Sequence, residues 1–197
     1  MTSKRFMDLL FTIPGIILLS PIMLVIAVWI KCDSKGPIIY KQKRVGLGER
    51  LFNVYKFRSM VTDADKASLL TVRADDRVTR AGRFLRKTKL DELPQLFNVL
   101  IGNMSLVGPR PEVAKYVAFY PPEAKKLIFS VKPGITERAS VEYKDENDLL
   151  ECADDPEKTY IEKILPVKIR YSVAYAKSHT VLDDLKIIMA TIKAIVS

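Results

Sequence analysis

Residues Leu9–Ile30 read LLFTIPGIILLSPIMLVIAVWI, a run with no charged side chain. A helix that crosses a bilayer needs about 20 apolar residues. This run is long enough, and no other stretch of the sequence is. A cleaved signal peptide is the first alternative, with Lys4 and Arg5 as its charged start. The apolar part is long for that purpose. Lys31-Cys32-Asp33 also follows where a small-residue cleavage site would stand. The run is therefore expected to stay on the chain as a membrane element.

Its course through the membrane has two readings. Pro21 sits in the middle of the run, after Ser20. Proline lacks a backbone donor and clashes with the carbonyl four residues back, which kinks or breaks a helix. A serine hydroxyl beside it is placed to satisfy a freed backbone group. Pro14-Gly15 is a second weak point. Basic residues prefer the cytoplasmic side. Here they flank both ends: Lys4 and Arg5 before the run, then Lys31, Lys35, Lys41, Lys43 and Arg44 after it. A kinked spanning helix satisfies the length. A helix that enters, bends at Ser20-Pro21 and returns satisfies the charges at both ends.

The remainder has the composition of one folded domain. The chain is 48% hydrophobic and 28% charged, which excludes general disorder. Lysine and arginine number 32 against 23 acidic residues, a net charge of +9. That excess points to an anionic partner: nucleic acid, anionic lipid or a phosphorylated substrate. Cys32 and Cys152 stand far apart, and His179 is the only histidine. A disulfide scaffold or structural zinc site is not expected.

Turn signals divide the domain. Ile38–Tyr40 and Leu51–Tyr55 flank Gly46-Leu47-Gly48 and read as a β-hairpin. Residues 63–76 are polar and read as a loop with one helical turn. Residues 77–101 look helical, with Pro94 marking a kink or a new start. Short helices are expected over 112–119 and 122–130, a loop over 131–134, and longer helices over 157–177 and 182–196. The fold class is α+β, mostly helical. Residues 77–89 alternate Arg77, Arg80, Arg83, Arg86, Lys87 and Lys89 with Val78, Ala81, Phe84 and Leu85 at helical spacing. A basic amphipathic helix of this kind suits an anionic membrane surface.

Directly after it, Asp91-Glu92 places two carboxylates behind a run of cations. On spacing alone they read as an N-terminal helix cap, with Pro94 in the first turn. Other residues favour chemistry. Gly108-Pro109-Arg110-Pro111 fixes Arg110 between two rigid φ angles, and the guanidinium fork matches phosphate oxygens. Lys132-Pro133-Gly134 sets another cation on a stiff turn, and Lys56-Phe57-Arg58 offers two more. A carboxylate pair among fixed cations would suit a diphosphate with a divalent ion. The sequence carries no P-loop, no GxGxxG and no Ser-His-Asp candidate set.

These motifs, in this order, resemble the bacterial sugar transferases, the small monotopic phosphoglycosyl transferases. Lys4-Arg5 with Asp8 looks like the opening KRxxD, and Ser20-Pro21 like the helix-break dipeptide. Gly36 to Gly46 follows GPxxYxQxRxG. FNVYKFRSM at 52–60, LDELPQLFNV at 90–99, Gly108-Pro109-Arg110-Pro111 and KPGIT at 132–136 complete the match. The length is that of the minimal catalytic form, without the extra N-terminal helices of larger relatives.

The resemblance implies a re-entrant helix over 1–32, broken at Ser20 and Pro21, with 33–197 as a catalytic domain at the cytoplasmic face of the bacterial inner membrane. It implies Asp91 as the nucleophile toward a UDP-sugar, releasing UMP and passing the sugar phosphate to undecaprenyl phosphate. Mg²⁺ would be held by Asp91, with Glu92 assisting by proton transfer or by positioning. Arg86 and Arg110, and less directly Arg58 and Lys132, would bind phosphate. A carboxylate among cations is expected to be ionised. The implied partners are these two substrates, anionic lipid headgroups and downstream glycosyltransferases of surface glycan assembly, and not nucleic acid.

Two segments depart from the family. After KPGIT the chain reads Glu137-Arg138-Ala139-Ser140, without the family's later arginine, for which Arg138 or Lys144 would have to substitute. Ser172-Val173-Ala174-Tyr175 stands where relatives often carry an aspartate. The rival readings are a membrane-anchored basic protein that binds anionic lipid or nucleic acid, and a polyprenyl-phosphate hydrolase. The first leaves the acidic pair inside the cationic stretch unexplained.

Overall fold

The apolar run lies within one helix, α1 (Ser3–Asp33), in a computed structural model that describes residues 3–62, 76–142, 149–150 and 152–196. The helix continues across Pro14 and Pro21. Pro21 leaves the carbonyl of Ile17 without its usual partner, and the Ser20 hydroxyl donates to that carbonyl at 2.8 Å. The middle of the helix is bare: Ile17, Leu18, Leu24 and Val25 are exposed, Leu18 to 78%. An apolar band this long and this open needs a non-aqueous neighbour.

Both ends of α1 are tied to the same folded body. At the start, Lys4 donates to the Val107 carbonyl and to Asp184, which is 0% exposed. Arg5 donates to the carbonyls of Val99 and Leu100. Asp8 accepts from the Ser105 hydroxyl and the Leu106 amide at 2.9 and 3.0 Å. At the far end, Ile26 and Ile30 pack against Phe57 and Leu85. Asp33 accepts from the Ala81 amide at 3.0 Å, which satisfies one orphan donor of the next helix.

Strands β1 (Ile39–Val45) and β2 (Leu51–Phe57) pair antiparallel, Ile39 opposite Phe57 and Val45 opposite Leu51. The segment expected to be helical over 77–101 divides. Helix α2 (Arg80–Lys87) is capped by Thr79 and ends at Thr88. Lys89 takes a left-handed conformation (φ 58°), and a 3₁₀ turn, Leu90–Glu92, follows. Pro94 then opens α3 (Gln95–Ile101). Asn98 locks α3 to β2, accepting from the Tyr55 amide and donating to the Asn53 carbonyl.

A second, parallel pair joins β3 (Ser105–Val107) to β4 (Gly134–Thr136). The sequence reading stopped its loop at Gly134 and assigned no strand there. Three residues are too few to display a period of two. Short helices α4 (Ala114–Val117) and α5 (Pro122–Ile128) fall within the expected ranges, and α6 (Arg138–Glu142) stands where no helix is expected. Helices α7 (Pro156–Thr159) and α8 (Leu165–Lys177) are joined by a π-helical turn, Tyr160–Ile164, and α9 (Val181–Val196) closes the described chain. The main core gathers Tyr116, Tyr120, Phe129, Tyr160, Ile164 and Leu165. The polar loop expected over 63–76 lies outside the described residues apart from Asp76.

Candidate active site

The site begins with the left-handed Lys89. A side chain in that conformation is uncommon and turns the chain sharply. The turn carries Leu90 and Leu93 against Ala27, Ile30 and their neighbours on α1 and sends the two carboxylates inward between them. Asp91 is only 8% exposed. Burial raises its carboxyl above the ordinary value. Lys56 opposes the rise, Glu92 adds to it, and Arg86 and Lys89 oppose it more weakly. Desolvation thus outweighs the surrounding cations in the direction of this shift.

Glu92 has the opposite balance. Burial disfavours its charge, but Arg110 and Lys56 outweigh burial and hold the carboxyl well below the usual range. Arg110 grips both oxygens, Nη1 to Oε2 at 3.2 Å and Nη2 to Oε1, and Lys56 donates to Oε1 at 2.9 Å. A carboxylate held this way does not donate protons at neutral pH. Of the two roles expected for Glu92, positioning fits the geometry.

Arg110 is itself fixed by a close backbone approach. Two backbone bonds draw the segments together there: the Gly108 amide donates to the Thr136 carbonyl, and the Gly134 amide to the Pro109 carbonyl. A Cβ on Gly108 would lie 2.5 Å from the Lys132 carbonyl oxygen and 3.0 Å from the Gly134 nitrogen. The Arg110 amide donates to Glu137 at 3.2 Å, and its guanidinium reaches the Ile135 carbonyl at 3.3 Å. Gly108→Ala is expected to destabilise the fold by about 3 kcal/mol, the upper range for overpacking. Chemical denaturation would measure this, and an unchanged midpoint would contradict it.

The structure separates the remaining predicted residues. Arg86, in the last turn of α2, stays near Asp91. Arg58 is buried elsewhere: it donates to the Ile30 and Ser34 carbonyls and so caps the end of α1. Its guanidinium packs onto Gly36 (φ 132°), where a Cβ would stand 2.0 Å from Nη1. Lys132 sits beside Arg5 and Gly102 at the end of α3. Burial, Arg5 and, in the opposite sense, Asp8 leave its ammonium with a lowered value. Arg138 opens α6 on the surface, and Lys144 lies outside the described residues. Lys56 stands at the site, beside Glu92 and Asp91, although its tripeptide alone does not single it out.

Beyond Arg110 opens a cavity of about 140 Å³. Arg44, Glu112, Glu137, Lys168 and Ser172 contribute to its polar walls. Ser172 is the first residue of the departing segment noted in the sequence. Among the described residues, no three metal-binding side chains converge. Glu92 is occupied by cations, so a metal ion here would have Asp91 as its one carboxylate. One carboxylate is compatible with Mg²⁺, which commonly takes its other oxygens from substrate phosphates and water.

A buried carboxylate thus stands beside an ion-paired glutamate and a rigid arginine, next to the end of a long apolar helix. The chain belongs to the bacterial sugar transferase family, whose model matches residues 1–197. It is 41% identical over 196 residues to a Klebsiella pneumoniae protein named UDP-glucose:undecaprenyl-phosphate glucose-1-phosphate transferase. It is 40% identical to an Aeromonas hydrophila UDP-N-acetylgalactosamine-undecaprenyl-phosphate N-acetylgalactosaminephosphotransferase, and 38% identical to an Escherichia coli K12 protein named as the Klebsiella one is. These matches cover 98%, 98% and 96% of this chain and 40%, 44% and 39% of the relatives. The chain thus spans less than half the length of these relatives.

Proposed function

We propose that this chain transfers a sugar-1-phosphate from a UDP-sugar to undecaprenyl phosphate, with Asp91 as the nucleophile. The names of the relatives supply the substrate classes. The observation that carries the reading is the division of labour between adjacent acids: Glu92 is neutralised by Arg110 and Lys56, while Asp91 is held in a desolvated turn with no hydrogen bond to its carboxylate from the described side chains. Desolvation sharpens a carboxylate as a nucleophile.

In the first step an Asp91 oxygen bonds to the β-phosphorus. The bond from phosphorus to the bridging oxygen breaks, and UMP leaves with the electron pair. In the second step an oxygen of the lipid phosphate attacks the same phosphorus, and the Asp91 carboxylate is restored. No net proton is exchanged with the protein. Glu92 keeps Arg110 and Lys56 aimed at the phosphate oxygens, and Arg86 adds positive potential. A Mg²⁺ ion held by Asp91 and the diphosphate would neutralise charge on the phosphates.

UMP release with undecaprenyl phosphate and a panel of UDP-sugars tests the activity. With the lipid omitted, a radiolabelled sugar phosphate should remain on the protein. Turnover without such a label would replace the two-step route by direct transfer.

The placement belongs to the same proposal. Residues 1–32 enter the inner membrane from the cytoplasm and return, and 33–197 work at its cytoplasmic face, near anionic headgroups and downstream glycosyltransferases. Support comes from the docking of both ends of α1 on one body, since a spanning helix would part its ends by the roughly 30 Å hydrocarbon layer. The exposed, mutually tilted pair Trp29 and Phe84, 5.4 Å apart, adds an aromatic contact of the kind found at interfaces. Cys32 is exposed and free, which makes a test simple. In a Cys152→Ser background, Cys32 and a Ser3→Cys cysteine should both resist an impermeant thiol reagent on spheroplasts and both react in inverted vesicles. Labelling of the Ser3→Cys position from outside would refute the re-entrant course.

A further inference from the structure

The cavity beyond Arg110 plays no part in the two displacements above. Its volume of about 140 Å³ sets its occupant. A cavity of about 150 Å³ holds one benzene molecule. The pocket is thus of the size of one six-membered ring.

The chemistry of the walls narrows the choice. Arg44 pairs with Glu112 at 3.0 Å, and the Tyr160 hydroxyl also donates to Glu112. Glu137 uses one oxygen, Oε2, for both the Arg110 amide and the Ser172 hydroxyl, each at 3.2 Å. The charge of Lys168 acts on Glu137. Acids thus stand against cations along the lining, and a second phosphate would find little net attraction. The aromatic rings are turned toward one another. Tyr116 and Tyr160 lie 4.7 Å apart at 51°, and Tyr120 stacks on Phe129. Tyr116, Tyr120 and Tyr160 belong to the lining. Burial raises the Glu137 carboxyl, against the pull of Lys168 and the Arg110 amide, so further hydrogen-bond donors are favourable there.

Position completes the argument. Arg110 lines this cavity and also grips Glu92, the neighbour of Asp91. In a UDP-sugar the pyranose is bonded, through one oxygen, to the phosphorus that is attacked. Uracil lies a ribose and a second phosphate away. We infer that the cavity is the sugar subsite: it takes the donor's pyranose ring, binds its hydroxyls through Glu137, Lys168 and Ser172, and sets which UDP-sugar is accepted. This assignment rests on the transferase reading above.

Initial rates with UDP-glucose, UDP-galactose and UDP-N-acetylgalactosamine, on the full chain and its Ser172→Ala and Lys168→Gln variants, test it. The ratio of kcat/KM between the best and second-best donor should change by about 10-fold or more, the scale of one hydrogen bond to a charged group. Inhibition by UMP, which has no sugar, should stay within about twofold, because its contacts are untouched. A variant that misfolds would show itself by circular dichroism. The unmodified protein gives an independent reading: a UDP-sugar lacking one ring hydroxyl should lose a similar factor. Unchanged donor ratios, together with no penalty for the deoxygenated donor, would overturn the subsite and leave the transferase reading standing. Equal losses for every donor and for UMP would give the cavity to the nucleotide and overturn it as well. A wild-type chain that releases UMP from no donor would defeat the transferase reading, and the subsite with it.

Discussion

Asp91→Asn is expected to abolish UMP release, by at least about 10³- to 10⁴-fold, the scale on which loss of a covalent nucleophile is felt, and at the same time to make the protein more stable. The first half follows from chemistry: an amide oxygen does not form the phosphoryl bond. The second half follows from the environment of the carboxyl. Burial raises its pKa, with Lys56 opposing, so the folded state holds a proton that the unfolded state releases. Between the unfolded value and the raised folded value, stability falls as pH rises. At neutral pH the ionised Asp91 is therefore a net burden on the fold. A neutral isostere removes the burden. A gain of about 1 kcal/mol would raise Tm by about 2–4 °C in a chain of this size. The same shift places the acid limb of the activity profile above that of an ordinary aspartate. Thermal melting in detergent alongside the UMP assay would decide. A variant that is inactive and less stable would mean that Asp91 is mainly a structural cap.

Glu92→Gln should fail in the other direction, losing activity and stability together. Its carboxylate, held low by Arg110 and Lys56 in spite of burial, stabilises the fold above the unfolded carboxylate value. That stability is lost as pH falls through the folded value. Exposed pairs contribute less than about 1 kcal/mol, and breaking a buried one costs about 3–5. The side chains here are 16% exposed for Glu92, 20% for Lys56 and 34% for Arg110, so a loss of about 2 kcal/mol is expected. The released Arg110 and Lys56 no longer converge, and kcat should fall about 100-fold, the scale on which misplacement of a positioning group is felt. The pH dependence separates positioning from proton transfer. If Glu92 only positions, the variant keeps the shape of the wild-type profile at reduced height. Loss of one limb would instead assign it a proton.

Much of this site was legible in the sequence because its signals are local. Asp91-Glu92 follows a cationic run, and Arg110 stands between two prolines; neither needs a long-range contact to be noticed. The fate of Arg58 was not legible, for an electrostatic reason that also holds for Arg5. The last carbonyls of a helix form a partial negative charge that attracts cations much as a phosphate does. Arg58 is taken up by the end of α1, and Arg5, beside Lys132, by the end of α3. No spacing rule separates a cation awaiting substrate from one already satisfied by backbone. The state of Asp91 was hidden for a related reason: neighbouring charges can be counted in a sequence, and desolvation cannot. The division of the 77–101 helix at Lys89 likewise had no local marker, since lysine rarely takes φ near 58°.

The docking of α1 has a practical corollary. Leu90 and Leu93, on either side of the two acids, rest on the same apolar cluster as Ile26 and Ile30. Helix α1 is thus also a wall of the turn that carries the two acids. Trimming residues 1–32 to obtain a water-soluble fragment would strip that wall, expose Phe57 and Leu85, and unseat the turn. For this chain, solubilisation has to come from an amphiphile around the intact helix, because the fold offers no severable head.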